Sequence, residues 1–183
     1  MMRSRRTYTV ILFLFALSSF TGSAGAAADV TLEEFAGTWV GNGLKEEFLE
    51  EGYYEYKERD LNVTIKPVDD GFMISWMTGI REVAGGPISE LKSTELMFEE
   101  NAEGYYHVAD LAPQVHSHGH RWARLEGRQL IVYLLDIHPE GYYELSMYVR
   151  TLNPDGTMSL GFIRNLDGRP VRRVTGQLTR AED

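Results

Sequence analysis

Apolar and polar residues alternate with a period of two along much of the chain. Such alternation over short segments indicates β-strands that bury one face and expose the other. The apolar members of the clearest segments are Leu61, Val63 and Ile65; Phe72, Ile74 and Trp76; Tyr143, Leu145, Met147 and Val149; and Met158, Leu160 and Phe162. We expect these residues to face a common core.

Pairs of an acidic or amide residue with glycine separate these segments. Because glycine adopts positive φ without strain, Asn-Gly and Asp-Gly pairs favour hairpin turns. The pairs are Asn42-Gly43, Glu51-Gly52, Asp70-Gly71, Glu103-Gly104, Glu126-Gly127, Glu140-Gly141, Asp155-Gly156 and Asp167-Gly168. This pattern predicts an all-β domain with an antiparallel sheet of roughly eight to ten strands. The irregular stretches 79–92 and 111–119 predict the longest loops, and the segment 130–137 is apolar on both faces, so we expect its outer face to pack as well.

One short helical signal precedes the first predicted strand. Residues 31–34 have the form of a capping box, in which Thr31 is the N-cap and Glu34 reaches back to it. Val30 and Phe35 are spaced as a hydrophobic staple around this turn. We therefore expect a single helical turn that covers one end of the sheet.

The beginning of the chain has the layout of a secretory signal peptide. Arg3, Arg5 and Arg6 form a basic region without acids, and the apolar run 10–17 follows it. The small residues Ala24-Gly25-Ala26 then supply a cleavage motif. This order of regions predicts export of the chain.

Cleavage is expected after Ala26 or Ala28, which assigns residues 1–26 to the signal and 29–183 to a single domain. The apolar run is shorter than the roughly 20 residues of a membrane-spanning helix. A retained membrane anchor is the alternative interpretation. We expect a secreted or periplasmic protein with no membrane span after cleavage.

The composition narrows the classes of function. The chain has 183 residues, of which 43% are hydrophobic, and a formal net charge of −9. This charge argues against a nucleic-acid partner, which requires clustered Lys and Arg. The absence of cysteine from the sequence excludes a disulfide scaffold, a thiolate nucleophile and a cysteine-ligated metal site.

The start of the first predicted strand carries a family resemblance. Gly37-Thr38-Trp39 resembles the Gly-x-Trp motif that opens the barrel in the calycin superfamily, which includes lipocalins, fatty-acid-binding proteins and avidins. Arg180 falls where the lipocalin arginine that stacks over this tryptophan would lie. The chain also resembles secreted bacterial lipocalin-like proteins that lack an assigned activity. The resemblance implies an antiparallel up-and-down β-barrel with a ligand in its interior.

Two arginines share the parity of the predicted core faces. Arg59 precedes Leu61, Val63 and Ile65, and Arg164 follows Met158, Leu160 and Phe162 in the same alternation. An inward arginine could hold the acidic group of a ligand through paired hydrogen bonds. Alternatively, both side chains reach solvent at the strand ends, or they pair with an internal acid such as Asp60 or Asp136.

These observations favour binding of a small hydrophobic or amphipathic anionic molecule. By the same parity argument, Trp76 and Tyr133 would line the cavity beside the arginines. Catalysis is the weaker interpretation, because the sequence has no evident nucleophile elbow and no phosphate-binding glycine loop. A barrel with a filled core that binds a protein partner through its outer face remains an alternative.

A histidine cluster suggests a second kind of site. His116, His118 and His120 would lie on one face of an extended segment, and three imidazoles could coordinate zinc or copper. The cluster follows Pro113 and contains a glycine, so an exposed loop without a ligand is the competing interpretation. No other cofactor is expected.

Overall fold

The computed structural model describes residues 30–48, 54–81, 85–101, 103–108 and 118–182, without the side chains of residues 48, 54–56, 60 and 118. The predicted signal peptide therefore lies outside the described residues. Within the described part of the chain, no helix is long and apolar enough to span a membrane.

The described chain consists of one short helix followed by strands. The elements are α1 (Leu32–Phe35), β1 (Gly37–Phe48), β2 (Tyr54–Val68), β3 (Gly71–Arg81), β4 (Ile88–Glu100), β5 (Tyr106–Val108), β6 (His118–Glu126), β7 (Gln129–Ile137), β8 (Tyr143–Leu152), β9 (Met158–Leu166) and β10 (Arg169–Arg180). The predicted helical turn is present, and the Glu34 carboxylate accepts a hydrogen bond from the Thr31 backbone N–H at 3.2 Å.

The strands form a closed antiparallel barrel. Each strand pairs with the next along the chain, and β10 returns to pair with β1. This is the up-and-down barrel expected from the sequence, and its ten described strands fall within the expected number. The predicted loop over 79–92 is too long, because β3 continues to Arg81 and β4 begins at Ile88.

A packed core fills one end of the barrel, which we call the closed end. Phe72 stacks on Phe98 with ring centroids 4.9 Å apart and meets the edge of Tyr106 at 5.1 Å. Leu32 and Phe35 of α1 are buried against this core. The helical turn therefore covers the closed end, and the cavity described below lies towards the other end.

Trp39, Arg180 and Gly37 form a connected group at the closed end. The Arg180 guanidinium lies 4.3 Å from the centre of the Trp39 ring, and it donates hydrogen bonds to the carbonyl oxygens of Glu34 (2.9 Å) and Ala36. The indole N–H of Trp39 donates to the Phe35 carbonyl at 2.9 Å. Gly37 adopts φ +118°, and a Cβ there would approach an Arg180 nitrogen to 2.7 Å. These contacts fasten α1 to the first and last strands.

The inward face of β8 differs from the face that its apolar residues predict. Tyr143, Leu145, Met147 and Val149 belong to the outward alternation, whereas Ser146, Arg150 and Leu152 are buried. Pairing with β9 decides which residues of β8 face inward, because Leu152 lies opposite the fully buried Met158 of β9. The prediction that the apolar set of β8 faces the core is therefore wrong.

Candidate ligand-binding site

The half of the barrel away from the closed end, which we call the open half, contains a cavity of about 320 Å³. This volume lies at the small end of the range for ligand sites, roughly 300–1,000 Å³. Its apolar wall includes Leu61, Val63, Trp76, Ile80, Tyr148, Leu160, Phe162 and Val174. The barrel is thus packed at its closed end and hollow towards its open end.

The charged residues on the cavity wall are mostly cations. They are Lys45, Lys57, Arg59, Lys92, Arg150 and Arg172, with Glu90 as the single acid among the described lining residues. Six positive charges and one negative charge among these lining residues give 6 − 1 = +5, and the Glu47 carboxylate that pairs with Lys45 and Arg172 reduces this sum to +4. The wall is therefore positive by formal charge, although the whole chain carries −9. A positive cavity of this kind attracts anions.

Arg150 is the most unusual of these cations. Its side chain is fully buried, with 0% relative exposure. None of its three guanidinium nitrogens has a hydrogen-bond partner among the described residues. Its contacts are aromatic, because the guanidinium carbon lies 5.3 Å from the centre of the Trp76 ring and 5.5 Å from that of Tyr148. A buried charge without an acidic partner or hydrogen bonds is costly, so this arrangement calls for an explanation in terms of function.

Burial changes the acid–base properties of this part of the cavity. It lowers the pKa of Arg150 to about 10, because the apolar surroundings disfavour the charged form. The side chain is still protonated at neutral pH. Burial also raises the pKa of the neighbouring Tyr148 hydroxyl, although the positive charge of Arg150 acts in the opposite direction.

An aromatic cluster surrounds the guanidinium. The ring of Tyr148 lies 4.8 Å from that of Trp76 across the cavity and 4.6 Å from that of Phe162 on the next strand.

Elsewhere in the wall, Gly43 and Gly176 pair across β1 and β10, and a Cβ on either would come within 2.7 Å of Leu61. The paired glycines leave the space that the Leu61 side chain occupies.

A second charged group lies nearer the open end. The Glu47 carboxylate forms ion pairs with Lys45 and with Arg172, the latter at 2.7 Å. Partial burial alone would raise the pKa of Glu47, but hydrogen bonds and charge from Lys45 and Arg172 bring it down to about 2. The carboxylate is therefore ionised at neutral pH. Because two cations share one carboxylate, this triad keeps a net positive charge.

Other charged residues on the inward alternation of the open half form ion pairs. Arg164 pairs with Glu144, and Arg121 pairs with Asp136 at 2.5 Å. Lys92 pairs with Glu90 at 3.2 Å, with both side chains more than half exposed. These pairs offer little net charge to a ligand, in contrast to Arg150.

The structure brings together some of the residues singled out in the sequence and separates others. Arg59, which is 5% exposed, and Trp76 both line the cavity. Arg164 is held by Glu144 beside the cavity. Tyr133 lies on the outer face of β7, stacked on Trp122 with ring centroids 4.8 Å apart. The expectation for Tyr133 is corrected, because the inward residues of β7 are the fully buried Leu130 and Val132.

The histidine cluster falls partly outside the described residues. His116 and the side chain of His118 are not described, and His120 is exposed on β6. No group of potential metal ligands occurs among the described residues. Zinc or copper binding by His116, His118 and His120 stays a prediction.

Arg150 is not among the site residues predicted from the sequence, although a signal for it exists there. The apolar residues of β9 were assigned to the correct face, and the turn after β8 places Leu152 opposite Met158. Counting back by two from Leu152 gives Arg150 and Tyr148 as inward residues. The pairing across this hairpin, rather than hydropathy within β8, would have identified the site.

Comparisons with known proteins support the fold. No protein-family model matches the chain, and no curated protein matches it. Among solved structures, the S-type phycobiliprotein lyase CPES from Guillardia theta is similar, with a TM-score of 0.55 and 9% sequence identity over 83% of this chain and 91% of that chain. At this identity the likeness shows the fold alone, an all-β antiparallel barrel of lipocalin-like form.

Proposed function

We propose that the chain is a secreted protein that binds a small amphipathic molecule with an acidic group inside its barrel. The observation that carries this proposal is the fully buried Arg150, whose guanidinium has no hydrogen-bond partner among the described residues. Secretion is proposed from the N-terminal sequence pattern described above.

An acidic ligand would compensate the cost of burying Arg150. A carboxylate or a similar anion can accept two hydrogen bonds from one guanidinium, and such charge-assisted bonds are the strongest ones in proteins. The Trp76 and Tyr148 rings hold the guanidinium by cation–π contact in the ligand-free chain. The ligand would thus meet a cation that is already positioned.

The apolar wall would supply most of the affinity. Burial of apolar ligand surface contributes about 25 cal/mol per Å². Leu160 and Phe162 offer such surface directly beside Arg150 and Tyr148 on the adjacent strand. The expected mechanism is equilibrium binding, in which the wall gives affinity and Arg150 gives orientation.

Calorimetric titration with decanoate and decanol tests this proposal. The two probes share a hydrocarbon chain and differ in the acidic group. We expect the protein to bind decanoate at least about tenfold more tightly, since hydrogen bonds to a charged group contribute about 1.5–3 kcal/mol. Arg150→Met should abolish this preference by binding both probes equally.

Arg128→Met is the matched control. Arg128 lies at the closed end, where its guanidinium donates to the Leu152 carbonyl at 2.7 Å. The same substitution there should leave the preference for decanoate unchanged. The proposal is wrong if the parent protein binds neither probe, or if the Arg150→Met protein still prefers decanoate.

The secretion part of the proposal has its own test. The full chain would be expressed with its natural N-terminus in a bacterial host, and the intact mass of the exported product measured. A product that begins after Ala26 or Ala28 is expected. An uncleaved chain retained in the cytoplasm would contradict export.

A further inference from the structure

The inner and outer parts of the cavity each contain a positive centre. The inner centre is Arg150, which lies fully buried against Trp76 and Tyr148. The outer centre is the triad of Lys45, Glu47 and Arg172, in which two cations share one carboxylate. Counted as formal charges, the triad is +2 − 1 = +1.

The strand pairing gives the separation of the two centres. The row of paired residues that contains Glu47 and Arg172 continues through Arg164 to Ser146 on β8. Ser146 lies four residues before Arg150 on the same strand and on the same inward alternation. At about 3.3 Å per residue, the row of Glu47 and Arg172 lies roughly 13 Å from the row of Arg150 along the strands. Lys45, which pairs with Val174, lies one inward row nearer to Arg150.

On β8, β9 and β10 the wall between Arg150 and the Glu47–Arg172 pair is apolar. There the intermediate row of inward residues contains Tyr148, Phe162 and Val174, which pair in succession and line the cavity. On β1 and β2 the same row continues with the cations Lys45, which belongs to the triad, and Lys57. Along β8, β9 and β10, a ligand that extends from Arg150 to the triad would therefore lie on hydrocarbon and aromatic surface.

A ligand with a single acidic group cannot satisfy both ends of this cavity. If its acid meets Arg150, its apolar tail ends among the charged groups of the triad. If its acid meets the triad, Arg150 stays buried without a hydrogen bond. An anion at each end removes both penalties.

We infer that the ligand is an elongated diacid, with one acidic group bound by Arg150 and the other by the Lys45–Glu47–Arg172 triad. The inference rests on the proposed function and specifies its ligand class: an apolar body with an anionic group at each end. The mouth of the cavity thus selects for the second charge, and the apolar wall selects for the length between the two groups.

The test compares decanedioate with decanoate, which have the same chain length and differ by one carboxylate. Affinities of the parent protein for both probes would be measured by calorimetry at moderate ionic strength. We expect decanedioate to bind at least about tenfold more tightly, because a second charge-assisted contact forms. The quantity followed in the variants is the ratio of the two affinities, which a general loss of folded protein leaves unchanged.

Two substitutions in the triad should change this ratio in opposite directions. Glu47→Gln removes the negative charge and should raise the decanedioate advantage several-fold, since the second carboxylate then meets two cations without a competing acid. Arg172→Gln leaves Lys45 paired with Glu47 and should bring the ratio close to one. A purely structural role of the triad would not produce changes of opposite sign. Arg128→Met at the closed end is again the control, with an unchanged ratio expected.

The outcomes separate this inference from the proposed function. A large ratio that rises in Glu47→Gln and falls in Arg172→Gln supports the diacid. Equal affinities for both acids, with the preference for decanoate over decanol intact, overturn the diacid and keep the proposed function. Failure to bind either acid overturns both.

Discussion

Replacement of Arg150 by methionine should make the ligand-free protein more stable. Methionine has a similar unbranched length and fills an apolar site without charge. Burial lowers the pKa of Arg150 from 12.5 to about 10, and at about 1.4 kcal/mol per pKa unit this corresponds to roughly 3 kcal/mol of unfavourable free energy. The substitution also removes the cation–π contacts, and their loss offsets about 1–2 kcal/mol of this gain in stability. We therefore expect the free energy of unfolding to rise by about 1–2 kcal/mol.

Urea denaturation followed by far-ultraviolet circular dichroism measures this effect. Circular dichroism is preferred to fluorescence because the ring of Trp76 lies close to residue 150. Arg128→Met should show the opposite sign, with a loss of about 1 kcal/mol, because its hydrogen bond to the Leu152 carbonyl is removed. If Arg150→Met lowered the stability of the ligand-free protein, Arg150 would be a structural residue and the reasoning for the binding site would fail.

Three further changes test the remaining parts of the structure. The pKa of Glu47 is lowered from 4.5 to about 2, so its stabilising contribution is complete above about pH 4.5 and is lost as the pH falls towards about 2. The difference in free energy of unfolding between the parent and Glu47→Gln, about 1–2 kcal/mol after allowance for partial exposure, should therefore shrink over this pH interval in urea titrations. A difference independent of pH would contradict the ion pairs. Arg180→Ala should lower the thermal midpoint, at a cost of about 1–3 kcal/mol, because it removes the contact with the Trp39 ring and the hydrogen bonds to the Glu34 and Ala36 carbonyls. An unchanged midpoint would show that the closed end is stable without Arg180. Gly37→Ala should cost about 1–3 kcal/mol of unfolding free energy, because a φ of +118° is strained for any residue other than glycine. Gly161→Ala is the matched control, since its added Cβ meets nothing closer than 3.9 Å. Equal effects of the two substitutions would argue against backbone strain at position 37.

The sequence predicted the fold more completely than the site. Alternation in β2, β3 and β9 identified the inward residues correctly. In β2 the opposite face is polar throughout, with Asn62, Thr64 and Lys66, whereas in β3 and β9 Met73, Met77 and Ile163 also lie on the outer face. In β7 and β8 both faces carry apolar or aromatic residues, so hydropathy could not decide the parity. Tyr133 was assigned inward and Arg150 went unnoticed for this reason.

Local sequence determined which segments form strands, where the turns lie, and that a capped helical turn precedes the first strand. These features depend on side-chain periodicity, glycine conformations and hydrogen bonds between residues a few positions apart. The closed barrel decided which face of β8 points inward, because pairing with β9 fixes the register of every residue on the strand. It also brought Arg150 of β8 next to Trp76 of β3, and Glu47 of β1 next to Arg172 of β10. These contacts join residues far apart in sequence, so only the tertiary structure could show that a negative chain holds a positive cavity.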